Sequence, residues 1–183
     1  MTDVADRYRK LAAAMEARIA AVPDDRWSNP APCEGWVARD VVQHLVDTPA
    51  IFFGMVDLPA PAGGPPVDDD PLGAFTHVRD AVQAALDDPA VADLPYEGFM
   101  GPSTFAKGVD QFLSADLVIH SWDLARATGQ DERLDPDEVH RLHEGMLPMD
   151  DMLRAPGAFG PKVEPPPDAD EQTRLLCFLG RQV

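Results

Sequence analysis

The segment from Phe105 to Gly129, FAKGVDQFLSADLVIHSWDLARATG, constrains the fold more than any other part of the chain. Helical steps of three and four from Phe105 through Val109 and Phe112 lead to Asp116, His120, Asp123 and Ala127. Ionisable groups therefore occupy what should be the apolar stripe of a core helix. An unpaired buried carboxylate costs several kcal/mol, so an Asp and a His at i and i+4 on such a face need a compensating partner. A hydrogen-bonded His–Asp pair would meet that need, and so would a metal ion. His44 is the candidate for a third ligand. It interrupts a second apolar row in VARDVVQHLVDT, on the stripe Val37, Val41, His44 and Thr48.

The rest of the chain reads as helices joined by proline-rich connections. The first helix is expected over Asp3–Val22, with the stripe Val4, Tyr8, Leu11, Met15, Ile19 and Val22, and Pro23 stops it. The second is expected over Val37–Val56, kinked one turn beyond His44 because Pro49 removes a backbone hydrogen bond to the Leu45 carbonyl. Leu58–Pro71, LPAPAGGPPVDDDP, reads as a long loop that serves as a crossover or a mobile lid. A third helix is capped by Asp70, starts at Pro71 and carries Phe75, Val78, Val82 and Leu86. Leu94–Ser103 reads as another loop, and Gly129 ends the long fourth helix. A fifth helix starts at Asp135-Pro136-Asp137-Glu138 and carries Val139, Leu142, Met146 and Met149. After the loop APGAFGPKVEPPPDAD, a short terminal helix over Glu171–Leu179 is closed by Gly180. No segment reads as a strand, so the fold class expected is all-α, a helical bundle with long loops.

At 183 residues the chain is expected to form one domain over residues 1–183. A net charge of -17 repels phosphate backbones and anionic lipid, so neither a nucleic acid nor a membrane is expected as a partner. No apolar run approaches the roughly 20 residues of a membrane span, and MTDVADRYRK lacks the plan of a signal peptide, so a cytoplasmic protein is expected. Cys33 and Cys177 read as reduced thiols, Cys177 as a small core residue in LLCFLG, and Cys33 as an outside candidate for catalysis.

The segments WSNPAPCEGWVARDVVQHLVD, ADLVIHSWDLARATGQD and LLCFLGRQ, in that order, resemble a family of actinobacterial metal-binding proteins. These are related to the N-terminal domain of mycothiol-dependent maleylpyruvate isomerase, within the DinB-like superfamily. The resemblance covers nearly the whole chain, and its middle motif, His-x-Trp-Asp-Leu-Ala, is specific. It implies a DinB-like four-helix bundle with long crossover loops and extra C-terminal helices. It also implies a divalent metal, usually zinc or nickel, held by His44, Asp116 and His120. The chain departs from the pattern in three places. Asp116 stands where the isomerase has Glu, Val37 replaces the Thr that caps the second helix and so leaves Asp40 without a hydroxyl partner, and the isomerase's separate C-terminal domain is not expected here.

Two imidazoles and one carboxylate are the ligand set of a catalytic zinc, because three protein ligands leave a position open; iron also takes a 2-His-1-carboxylate set. Asp123 is expected either to hold the free N–H of a ligand imidazole or to fix Arg126. Arg126 and Trp36 are candidates for cofactor binding, and Trp36 and Trp122 either wall the site or pack the core. By family analogy the cofactors are the metal and a low-molecular-weight thiol such as mycothiol, with a small electrophile as substrate, in a transferase or isomerase. A metal-hydroxide hydrolase and a non-catalytic binding module are the alternatives. The surrounding helices are expected to exclude most bulk water, and the protein to be a monomer or homodimer. His77, His140 and His143 read as surface residues, and Asp68–Asp70 as a helix cap with solvated charge.

Overall fold

A computed structural model describes residues 2–98, 100–154 and 159–183. In chain order the elements are α1 (Thr2–Ala20), α2 (Ala38–Asp47), α3 (Pro49–Met55), α4 (Pro71–Asp87), α5 (Pro89–Ala92), β1 (Pro95–Gly98), β2 (Gly101–Thr104), α6 (Phe105–Gly108), α7 (Ser114–Thr128), α8 (Pro136–Met146), α9 (Asp150–Leu153) and α10 (Glu171–Phe178). A π-helical turn, Val109–Leu113, joins α6 to α7. Helices α1 and α2 each pack against both α4 and α7, closing a four-helix ring. Helices α8 and α10 pack on one another, and α8 touches α7.

The amphipathic stripes read from the sequence are the ones buried. Tyr8, Leu11, Met15 and Ile19 of α1 and Phe75, Val78, Val82 and Leu86 of α4 all face the core. The caps also follow the local chemistry: Asp70 accepts from the Gly73 N–H and Asp135 from the Asp137 N–H, each with proline at the first helical position. Although Val37 offers no acceptor, the Asp40 carboxylate takes the Val37 N–H at 2.8 Å, so half of a capping box is enough to start α2.

Four expectations are corrected. The first helix ends at Ala20, short of Val22. The segment expected as one kinked helix over Val37–Val56 is two, broken at Thr48; Pro49 becomes the first residue of α3, where its missing N–H costs nothing. The expected loop Leu94–Ser103 contains the antiparallel hairpin β1–β2, with Pro95 opposite Thr104 and Gly98 opposite Gly101. Pairing, rather than any alternation of apolar residues, holds it together; Phe99 of that loop lies outside the described residues, as do residues 155–158 of the proline-rich loop before α10. Finally, the helix expected over Phe105–Gly129 carries the π-turn, whose bond from the Ser114 N–H to the Val109 carbonyl inserts one residue. Leu113, rather than Phe112, is therefore the residue buried in the core ahead of Asp116.

Helix α7 is the centre of the molecule. From Ser114 to Thr128 every residue is buried except Asp116, which is half-buried, and Arg126, which is exposed. A helix covered on all sides has no solvent face on which to place its polar groups. The long loop before α4 is pinned at two points: Arg39 Nη1 donates to the carbonyls of Val67 and Asp68, and His77 Nε2 bonds to the Ala62 carbonyl. It connects α3 to α4, and half-buried His77 is one of its anchors rather than a surface residue.

The C-terminal segment docks through a tight turn at Gly180, whose φ of +84° places it in the left-handed region. A Cβ there would lie 2.9 Å from the Pro161 carbonyl oxygen and 3.2 Å from the Gly160 carbonyl carbon. Gly180→Ala is expected to cost about 1–3 kcal/mol through left-handed strain and that clash. Urea unfolding checks this: the midpoint should fall with little change in slope, and an unchanged midpoint would mean that the turn is not closed in solution.

Candidate metal centre

The candidate residues reach one place from three parts of the chain. Asp116, His120 and Asp123 come from α7 and His44 from the last turn of α2. Cys33 and Trp36 come from the loop between α1 and α2, where Gly35 turns at φ +77°. That loop is folded on itself by the bonds Ala31 N–H to Trp36 O and Trp36 N–H to Cys33 O. It is tied to the end of α7 by the Asn29 side-chain amide, which donates to the Ala127 carbonyl.

His44, Asp116 and His120 each present a ligand-capable atom within 4.8 Å of the others. His44 Nε2 lies 3.2 Å from Asp116 Oδ2, and the two imidazoles meet edge to face with centroids 4.8 Å apart. Zinc-to-nitrogen and zinc-to-oxygen bonds of about 2.1 Å at a tetrahedral angle separate two donors by about 3.4 Å. The His44–Asp116 separation matches that spacing, and the other two pairs lie within 4.8 Å. Trp36 stacks beside both imidazoles, 5.2 Å from the His44 ring and 5.9 Å from the His120 ring, and so forms one wall. Trp122 is buried in the core, 1% exposed, with Arg126 over its ring.

His120 is held from behind. Its Nδ1–H donates to Asp123 Oδ2 at 2.9 Å, and Asp123 in turn accepts from Arg181 Nε (3.1 Å) and Nη2 (2.8 Å). Because a carboxylate only accepts, the proton sits on Nδ1, and Nε2 is the nitrogen left to coordinate. Burial alone would raise the Asp123 pKa; the hydrogen bonds from His120 and Arg181 outweigh it and hold the group down at about 2, against an ordinary 3.8. Arg126, expected as a possible partner of Asp123, is not at this place: it is exposed and pairs with Glu132 at 2.8 Å. Arg181, which supplies the guanidinium instead, stands 58 residues away in sequence, and no local pattern marks it.

A second trio, Cys33, His120 and Asp123, also meets the distance condition. It suits a cation poorly, because Asp123 already accepts from two residues and the Arg181 guanidinium lies 2.8 Å from its Oδ2 and 3.3 Å from Cys33 Sγ. Burial, reinforced by the Asp123 charge, pushes the Cys33 thiol up to about 12, so it stays protonated and is no nucleophile at neutral pH. Cys177 is buried, as expected of a core residue.

The expected exclusion of bulk water holds on one side only. The His120 side chain is 7% exposed, whereas those of His44 and Asp116 are 31% and 22% exposed. Access is from the His44–Asp116 side. The histidines of α8 lie elsewhere: His140 Nδ1 bonds to Glu171 Oε1 at 2.8 Å and His143 lies 3.7 Å from the same oxygen, so they help to dock α8 on α10. Asp123 also gives a pH dependence. A folded-state pKa below the unfolded one contributes stability that is present above pH 3.8 and lost as pH falls toward 2. Wild-type protein is expected to lose about 2 kcal/mol over that range beyond what Asp123→Asn loses. Urea titrations at stepped pH check it, and equal acid sensitivity of the two proteins would overturn the assignment.

Residues 8–125 match the mycothiol maleylpyruvate isomerase N-terminal domain family. Over 185 aligned residues the chain is 26% identical to uncharacterized proteins from two strains of Mycobacterium tuberculosis, covering 96% of this chain and 96% of each relative. No solved structure matches the chain. The matched region spans α2, α4 and most of α1 and α7, the four bundle helices that carry His44, Asp116, His120 and Asp123. The chain belongs to the mycothiol maleylpyruvate isomerase N-terminal domain family, with the all-α, DinB-like fold of that family.

Proposed function

We propose that this protein binds one divalent transition metal, zinc in the first place with nickel or iron as alternatives, through His44, Asp116 and His120. We further propose that it uses the metal with a low-molecular-weight thiol, mycothiol by family analogy, to transfer to or isomerise a small electrophile. The observation that carries the reading is the bond from His120 Nδ1 to Asp123, which presents Nε2 to the space shared by Asp116 and His44. Such an ion, when bound, supplies a Lewis acid that lowers the pKa of a thiol or water in its open position.

The chain's own residues contribute orientation and access. His44 is steadied by Thr48, whose hydroxyl donates to the His44 carbonyl at 2.7 Å and leaves its lone pairs 3.3 Å from His44 Nδ1. Asp123 and Arg181 keep the His120 proton on Nδ1. Trp36 shields both imidazoles, and the exposed flank at His44 and Asp116 is the route for a thiol and its electrophile. Burial and the Asp123 charge hold the Cys33 thiol in its protonated form, which favours a thiol supplied from solution as the nucleophile. A non-catalytic metal-binding module and a hydrolase share the same donors, and the response to thiol separates them from this reading.

Metal analysis of protein made without a histidine tag is expected to give close to one ion per chain. His44→Ala should lower affinity at least about 100-fold while leaving helical circular dichroism unchanged, because the His44 side chain is about a third exposed and its loss strands no fully buried charge. His120→Ala is the less clean variant, since it removes a partner of buried Asp123. Absence of retained metal, together with no zinc binding by calorimetry, would sink the metal reading. In cobalt-substituted protein a thiol is expected to add an intense sulfur-to-cobalt band in the near ultraviolet. A spectrum unmoved by millimolar thiol would leave only the hydrolase or binding-module readings.

A further inference from the structure

A cavity of about 500 Å³ lies between the β1–β2 hairpin, the π-turn and α8. None of the residues lining it belongs to the candidate metal centre. Its volume falls in the range of small-molecule sites, and its walls are mostly soft and apolar: Phe112, Leu142, Met146 and Met149, with Met100 at the hairpin end.

Three features indicate a built site rather than a packing defect. The first is the π-turn. Asp110, Gln111 and Phe112 all line the cavity, although three consecutive residues of a regular helix are spread over about 200° around its axis. The second is Gly145. It stands exposed in the last turn of α8, and a Cβ there would meet nothing within 4 Å. Packing does not require this glycine, and a side chain added there would stand beside the cavity that Gly145 lines.

The third feature is charge. On a protein carrying -17, this cavity is bordered by Arg7, Lys107 and Arg141, with Asp110 and Glu138 as their carboxylate partners. Arg7 is fully engaged by Glu138 and Asp110, and Arg141 spends one nitrogen on Asp110. Lys10 and Lys162 pair with Asp135 and Asp150, whereas Lys107 is exposed and has no carboxylate partner among the described residues. A free ammonium and a partly free guanidinium at the mouth of an apolar cavity match a ligand that is apolar at one end and anionic at the other.

We propose that this cavity is a second small-molecule site, separate from the metal centre, that takes an amphipathic anion: a carboxylate or sulfonate on an aromatic or short aliphatic body. Lys107 and Arg141 receive the anion, and the methionines and Phe112 receive the body.

Fluorescence titration of the full chain with 8-anilinonaphthalene-1-sulfonate tests this, with neutral N-phenyl-1-naphthylamine as the comparator that lacks the sulfonate. The expected result is one saturable sulfonate site per chain, with the neutral probe at least about tenfold weaker. Lys107→Met should weaken sulfonate binding several-fold. Gly145→Trp should abolish it while keeping helical circular dichroism. His44→Ala should leave it intact, which makes the outcome independent of the metal reading. Equal binding of the two probes, or no effect of Lys107→Met, would overturn the anion assignment. Undiminished binding in folded Gly145→Trp, or loss of binding in His44→Ala, would overturn the cavity as the site. Should Gly145→Trp fail to fold, the exposed Lys107→Met variant and the neutral comparator still decide the matter.

Discussion

A carboxylate with no exposed surface, set in a helix that is itself covered on nearly every side, is stable only where its charge is matched by donors, and Asp123 imposes that demand on everything around it. Its two oxygens receive the His120 imidazole and two nitrogens of Arg181. Removing one partner of such a pair typically costs about 3–5 kcal/mol, because an uncompensated charge stays buried. His120 is therefore held by a fold-level constraint rather than by the packing of its ring alone. Arg181 is drawn 7% exposed into the interior, and the turn at Gly180 that directs it there has to close against residues 160 and 161.

The centre that results is rigid on one side and open on the other. His120 is fixed by hydrogen bonds within the core, whereas His44 sits at the end of α2, next to the break that Pro49 makes, with about a third of its side chain exposed. A pocket made this way has an oriented imidazole at its back and a reachable one at its front. That is the asymmetry expected where an exchangeable ligand must approach. The amphipathic cavity lies beyond the π-turn, on another part of the same long helical segment, so one distorted helix contributes side chains to both places.

How much was legible depended on how local each decision was. The stripes of α1 and α4, the Asp70 and Asp135 caps and the closing glycines follow from residues within a turn of one another, and they are where the pattern puts them. The hairpin was missed because Pro95–Gly98 and Gly101–Thr104 carry no apolar alternation. The π-turn was missed because a one-residue insertion leaves a three-to-four-residue pattern nearly unchanged: Phe112 and Leu113 are both apolar, and only the packed structure decides which one enters the core.

By itself the sequence determined that α7 has to be internal and that Asp116, His120 and Asp123 share one of its faces, because the 3.6-residue period relates neighbouring turns wherever the helix lies. It also singled out His44 as the polar break in a second stripe. Tertiary structure alone decided who answers Asp123. Arg126 is three residues away and exposed, while Arg181 is 58 residues away and buried, since a side chain's partner is set by which elements pack together and not by separation along the chain. The same packing decided that Cys33 is a protonated thiol beside a carboxylate, that Trp36 rather than Trp122 walls the imidazoles, and which flank of the centre is left open. Burial and long-range contact exist only once the helices have met.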